Sequence, residues 1–223
     1  MAAMTRAVVF DLDGTLTDTE TLWDGIRRGL AADAGLPWPD DASTRMMGMS
    51  TQQWSAYLVE GVGLPGTPSE VAARTISAMQ QHYRDGVELL QGAPDVVRRL
   101  GAVWPLGVAS SSPRVLIDAA LEAMDVADLV AASVSTEETG HGKPAPDVYL
   151  EVCRRLGVAP QDAVAIEDSP AGIRSAQAAG MKLIVVPPRF HPPTADVLAL
   201  ANVVVATLDE ITVELVENLL GGR

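Results

Sequence analysis

"VVFDLDGTLTDTE", residues 8–20, sets a short apolar run against four acids, Asp11, Asp13, Asp18 and Glu20. The run reads as one buried strand, and Asp11 stands where it ends. In extended backbone, residues two apart point the same way, so Asp11 and Asp13 can face one site. Gly14 and Thr15 follow directly and read as a turn. Acids beside a turn also suit a solvated surface. The stretch therefore decides the fold only if other strands deliver reactive groups to the same place.

Further strands are present. "AVVF" (7–10), "PLGVAS" (105–110), "LVAAS" (129–133), "AVAIED" (163–168), "KLIVVP" (182–187) and "VVVAT" (203–207) are nearly continuous in hydrophobicity, as in parallel strands covered on both faces. Helical patterns separate the later ones, among them "SPRVLIDAALEAM", "APDVYLEVCRRLG" and "SPAGIRSAQAAG". That alternation predicts an α/β, doubly wound parallel sheet. About 95 residues part the first two strands, and they hold amphipathic patterns only: Leu22, Ile26 and Leu30, then Trp54, Tyr57, Leu58 and Val62, then Val71, Thr75, Ile76 and Met79. We expect a helical subdomain, residues 18–87, inserted into a core made of 1–17 and 88–223.

Bulk properties narrow the function. The net charge of −13 argues against a nucleic-acid or anionic-membrane surface. No stretch approaches the roughly 18 apolar residues of a membrane span, and "MAAMTRAVVF" lacks a signal-peptide pattern. The expectation is a soluble cytoplasmic protein, starting at Met1 or Met4. A lone Cys153 in a helical pattern excludes an internal disulfide and reads as a buried small hydrophobe. His82, His141 and His191 have no metal-ligand spacing.

In doubly wound sheets ligands bind beyond the carboxyl ends of the strands. The first strand ends in Asp11 and Asp13, the second in Ser110, Ser111 and Ser112, and the fourth in Glu167 and Asp168, while Lys143 lies in "GHGKPAPD" between the third and fourth. A carboxylate can attack phosphorus, and a neighbouring acid can protonate the leaving oxygen and then deprotonate water. Asp168 adds a third carboxylate, and such a group invites Mg²⁺. Lys143 is one of only two lysines against fourteen arginines, so a compact ammonium suits this position. Ser110 and the N–H groups that follow, ahead of Pro113, form an anion site. Each piece alone has a plain structural use, as a helix cap or a surface charge. Their joint order at successive strand ends does not.

"DLDGTLTD", "VASSS", "GKPAPDVY" and "IEDSPAGI" resemble the four motifs of the haloacid dehalogenase-like hydrolase superfamily, over residues 7 to about 187. The resemblance implies a Rossmann-like core with a helical cap in the C1 position, as in the beta-phosphoglucomutase-like and phosphoglycolate-phosphatase-like branch. It further implies Asp11 as nucleophile and Asp13 as general acid/base, with Ser110, Ser111 and Lys143 on the phosphoryl group. Mg²⁺ would sit on the Asp11 and Asp168 carboxylates and the Asp13 carbonyl, with Glu167 behind them and Gly14 and Thr15 shaping the turn. Asp13 separates the chain from the dehalogenase branch, and Leu12-Asp13 from the P-type ATPases, which carry Lys-Thr there.

Phosphomutases of the branch carry an arginine after "GMS" (48–50), where this chain has Thr51. Their histidine on the first cap helix is replaced by Trp23, and a cap lysine near "AMQQHY" is missing. Those departures favour a Mg²⁺-dependent phosphatase on a small phosphorylated metabolite, through an aspartyl-phosphate. A sugar phosphomutase is the first alternative, and a non-catalytic phospholigand-binding protein the second. Trp23, Trp54, Tyr57 and Met79 either line the cap side of the pocket or pack the cap. The substrate and oligomeric state are not legible.

Overall fold

The computed structural model describes residues 6–46, 49–189 and 192–221. Met1 and Met4, Gly48 of the "GMS" segment and His191 lie outside them.

Six parallel strands form one sheet in the order β3-β2-β1-β4-β5-β6: β1 (Ala7–Phe10), β2 (Leu106–Ser110), β3 (Val130–Ser135), β4 (Ala163–Glu167), β5 (Lys182–Val185) and β6 (Val203–Val204). This is the expected doubly wound α/β architecture. Alternation along the strands feeds two cores. Val8, Phe10, Leu106, Val108, Val164 and Ile166 point to one face, where α5 (Ala93–Gly101), α6 (Arg114–Ala123) and α10 (Val213–Leu219) pack. Ala7, Val9, Ala109, Ala163 and Ala165 point to the other, under α7 (Asp147–Leu156), α8 (Pro170–Ala178) and α9 (Ala195–Leu198). Because both faces are covered, β1, β2 and β4 stay apolar up to their carboxyl ends, which is why they read as continuous apolar runs.

Boundaries differ by one residue at β2 and β4 and by two at β5, which ends at Val185, and they differ most at β3 and β6. β3 runs two residues further than "LVAAS", because Leu129 closes a short 3-10 turn and Ser135 still pairs with Ser110. β6 is shorter than "VVVAT": after Val205 the chain turns into a 3-10 segment capped by Thr207.

Between β1 and α5 lie α1 (Glu20–Asp33), α2 (Ala42–Met46), α3 (Thr51–Glu60) and α4 (Pro68–Asp85), with no strand among the described residues there. Capping boxes start α3 at Ser50/Gln53 and α4 at Thr67/Glu70. The five-residue α2 was not expected, since "ASTRM" is too short to show a period. The two connections to the sheet run side by side: Asp18 N donates to Glu88 O at 2.9 Å and Leu90 N to Leu16 O at 3.0 Å. No described helix is long and apolar enough to cross a membrane. Cys153 is buried against the second core, and burial pushes its thiol up to about 11.

Candidate active site

The strand order reverses at β1, whose neighbours are β2 and β4. The crevice beyond their carboxyl ends is where a ligand site is expected. Asp11 N donates to Ile166 O at 2.9 Å, carrying the ladder one residue past β1 and fixing Asp11 in a buried position. The chain then folds back: Gly14 N donates to Thr17 O at 2.8 Å, and Leu16 N and Thr17 N both reach Leu12 O. Gly14 has φ +87°, and a Cβ there would lie 2.2 Å from Asp168 Oδ2. Only glycine lets the turn lie this close to the Asp168 carboxylate. Thr15 Oγ1 donates to Asp168 Oδ1 at 3.2 Å, so Gly14 and Thr15 position Asp168 as well as turning the chain.

Lys143 is buried at the centre. Its ammonium donates to Asp11 Oδ1 (2.5 Å), Glu167 Oε1 (2.7 Å) and Ala109 O (3.0 Å). All three of its protons are thereby used. Glu167 is fully buried and saturated. Oε1 also accepts from Tyr149 OH at 2.8 Å, while Oε2 accepts from Asp168 N, Ser169 N and Ser169 Oγ. Burial first, and then Glu167 and Asp13, raise the Asp11 pKa to about 7 although Lys143 opposes the shift. Burial and the charges of Asp11 and Glu167 likewise hold Asp168 well above the usual carboxylate range. Lys143 moves the other way. Burial disfavours its charge, but Asp11 and Glu167 outweigh that and raise its pKa.

Asp13 is held from two sides. Its Oδ1 accepts from Thr19 Oγ1 at 2.8 Å and from Trp23 Nε1 on α1 at 3.3 Å. Its Oδ2 accepts from Ser112 Oγ at 2.7 Å and Ser110 Oγ at 3.4 Å. Ser110 is buried beneath the site, and the Ser112 N–H is already given to its Oγ at 2.9 Å. Ser111 and Ser112 instead face the cavity, together with Asp11, Asp13, Lys143 and Ser169 from the sheet side.

From the helical insertion, Glu20, Trp23, Arg27, Met46, Met49 and Trp54 close the same cavity. Trp23 and Trp54 are thus both packed and site-facing, while Met79 is in the core and Tyr57 stacks on Arg45 instead. His141 is exposed, with Nδ1 3.0 Å from Asp147 Oδ1, and His82 lies exposed on α4. Sequence reasoning missed Arg27, Met46, Met49, Tyr149 and the contact of Ser112 with Asp13. Ser112 carried a signal in the triple-serine run, Tyr149 closes the quoted "GKPAPDVY" and Met49 lies in "GMS", whereas Arg27 and Met46 stood in no motif.

Asp11, Glu167 and Asp168 each bring one carboxylate oxygen within 4.8 Å of the others. Hard oxygen donors of this kind suit a small divalent cation. Two buried carboxylates with raised pKa values fit the same reading, because a cation between them would relieve both burial and repulsion.

A family model for haloacid dehalogenase-like hydrolases matches residues 5–180. Hexitol phosphatase B of Escherichia coli O157:H7 is 33% identical, with 92% of this chain and 94% of the relative covered. The phosphorylated carbohydrates phosphatase of Thermotoga maritima is 31% identical, covering 80% and 83%. Among solved structures, beta-phosphoglucomutase from Clostridium difficile superposes with a TM-score of 0.83 over 97% of both chains at 21% identity, a likeness of fold. The expected phosphatase agrees with the names of both relatives.

Proposed function

The chain belongs to the haloacid dehalogenase-like hydrolase family, and from that premise we propose that it hydrolyses a small phosphomonoester, a sugar or polyol monophosphate, in the cytoplasm. Asp11 is the nucleophile: its free oxygen bonds to phosphorus as the P–O bond to the leaving group breaks. Asp13 gives its proton to the departing alkoxide. Asp13 then takes a proton from water as that water bonds to phosphorus, the Asp11–phosphorus bond breaks, and inorganic phosphate leaves. Lys143 neutralises Asp11 and, through its field, the phosphoryl group, with Ser111 lining the cavity there and Ser110 beneath it.

The Asp11 and Asp168 carboxylates and the Asp13 carbonyl would hold Mg²⁺. Bound there, it supplies charge neutralisation and a template for the phosphoryl group. Glu167, with both oxygens engaged, orients Lys143 and the Asp168 loop. Residues 18–87 serve as a cap whose two connections lie against each other at Asp18 and Glu88. Closure carries Trp23 onto Asp13 and excludes water from the first step. Thr51 at the start of α3, where the mutases have arginine, supports hydrolysis over phosphoryl return.

One observation carries the reading: Lys143 Nζ is buried 2.5 Å from Asp11 Oδ1 at the strand ends. We expect Asp11→Asn to lose at least about a thousandfold of its p-nitrophenyl phosphate turnover with an intact fold by circular dichroism, and EDTA to silence the wild type. Undiminished Asp11→Asn activity would remove the nucleophile. Isomerisation of a hexose 1-phosphate without phosphate release would make the enzyme a mutase.

A further inference from the structure

Arg27 is a buried cation of the cap, 9% exposed, and it faces the cavity over the reacting carboxylates. Its guanidinium carbon lies 4.7 Å from the Trp23 ring centroid and 4.8 Å from that of Trp54, in the notch between two indoles tilted at 57°. The rings fix the fork and cover its faces, leaving the edge for hydrogen bonding. Nε has no partner among the described residues. A desolvated donor left unpaired is costly, so its retention beside a cavity points to a ligand.

The neighbouring charges say what kind of ligand. Burial lowers the Arg27 pKa to about 10, against the opposing pull of Glu20, Asp24 and Asp13, so it stays charged at neutral pH. Asp24 is committed elsewhere, accepting from Arg28 Nε at 2.5 Å and from Ser43 Oγ. Glu20 lines the cavity with Arg27. Burial raises the Glu20 carboxyl to about 7, yet it still answers the Arg27 charge, and Asp11 and Asp13 line the same cavity, so Arg27 offers no net positive pocket for a second anionic group on the substrate. A hydroxyl, by contrast, both donates and accepts, and Arg27 and Glu20 provide one partner of each kind. The indole and methionine surfaces suit the C–H faces of a carbon chain.

Building on the phosphatase reading, we propose that Arg27, with Glu20, forms the leaving-group subsite and selects neutral, polyhydroxylated monophosphates over bisphosphates and phosphocarboxylates. The test compares kcat/KM for glucitol 6-phosphate, fructose 1,6-bisphosphate, phosphoglycolate and p-nitrophenyl phosphate in wild type, Arg27→Met and Arg27→Lys. The wild type should prefer glucitol 6-phosphate to the bisphosphate and the phosphocarboxylate. In Arg27→Met the ratio of kcat/KM for glucitol 6-phosphate to that for the aryl phosphate should fall roughly 10- to 100-fold, mostly through KM. Added guanidinium ion should restore part of that ratio. Should Arg27→Met fail to fold, Arg27→Lys, which keeps the charge and loses the fork, carries the comparison with a smaller fall.

Equal losses on both substrates would make Arg27 structural and overturn the proposal, as would a wild-type preference for the bisphosphate or phosphoglycolate. A wild type active on the aryl phosphate but on no hydroxylated monophosphate overturns this proposal alone. One active on neither overturns the phosphatase reading, and this subsite with it.

Discussion

Two surfaces meet across the cavity, and they are built on opposite rules. On the sheet side, Lys143 spends every proton and Glu167 fills both oxygens. Backbone is pressed so close there that Gly14 and Gly172 leave no room for a methyl group, the latter's Cβ falling 1.6 Å from Glu167 Oε1. On the cap side, rings and thioethers dominate, and the Arg27 Nε proton is left open. On the proposed reading the sheet side handles a phosphoryl group, which has one geometry, so its surroundings can be fixed in advance. On the same reading the helical insertion meets the variable part of a substrate, and open hydrogen-bonding capacity is useful there.

The sharpest way to break this contrast is to empty the middle of the sheet-side network. Lys143→Met leaves Asp11 and Glu167 buried without their cation, the situation that costs about 3–5 kcal/mol when one partner of a buried pair is removed. We expect a loss of that order in urea unfolding at pH 7.5 in EDTA, and a fall of at least about a hundredfold in phosphate release. A melting curve like the wild type's would mean that the buried acids do not depend on Lys143.

Metal addition probes the same acids at a smaller amplitude. The Asp11 pKa is raised in the folded state to about 7, against an ordinary value near 3.8. A raised folded value favours the folded state below the unfolded pKa, and that contribution fades as pH climbs from about 4 to about 7. Metal-free protein is therefore poorest in this contribution above pH 7, where the carboxylates are also ready to bind a cation. Magnesium at a hundred times its Kd should add about 2–3 kcal/mol at pH 8 and clearly less at pH 5, read as the gain in Tm. Equal gains at both pH values, or none, would separate the cluster from metal binding.

The two surfaces also differ in how far the sequence reveals them. Asp11, Ser110, Glu167 and Asp168 sit at or just beyond strand ends, so locating the strands locates the residues, and the reversal of strand order brings them together. Lys143 comes from a loop and was legible through its rarity and its motif. The role of Glu167 as a saturated acceptor, and of Tyr149 beneath it, depends on α7 lying against β2 and so was not legible. On the cap side, Arg27 occupies an unremarkable "GIRRGL" and is distinguished from Arg28 only by the direction each takes from the helix. Arg28 turns out to Asp24 and Trp38, whereas Arg27 turns in to the two indoles. A one-residue step of 100° around a helix decides this, and it depends on how α1 packs against α3 rather than on local pattern.

The gentlest test uses one glycine from each side. Gly172 opens the third position of α8, and an added Cβ would collide with a Glu167 carboxylate that Lys143 and Tyr149 hold in place. Gly172→Ala should cost about 1–3 kcal/mol by overpacking and should lower kcat as Glu167 is driven off Lys143. Gly29 lies inside α1 with nothing within 4 Å of its would-be Cβ and no left-handed φ. Alanine there removes unfolded-state entropy and adds helix propensity, so Gly29→Ala should stabilise by roughly 0.5–1 kcal/mol and leave kcat alone. The pair of urea midpoints, shifted in opposite directions, reads the contrast directly. If both substitutions destabilised alike, the cap face around α1 would be as tightly filled as the sheet side, and the freedom ascribed to it for accommodating a leaving group would be lost.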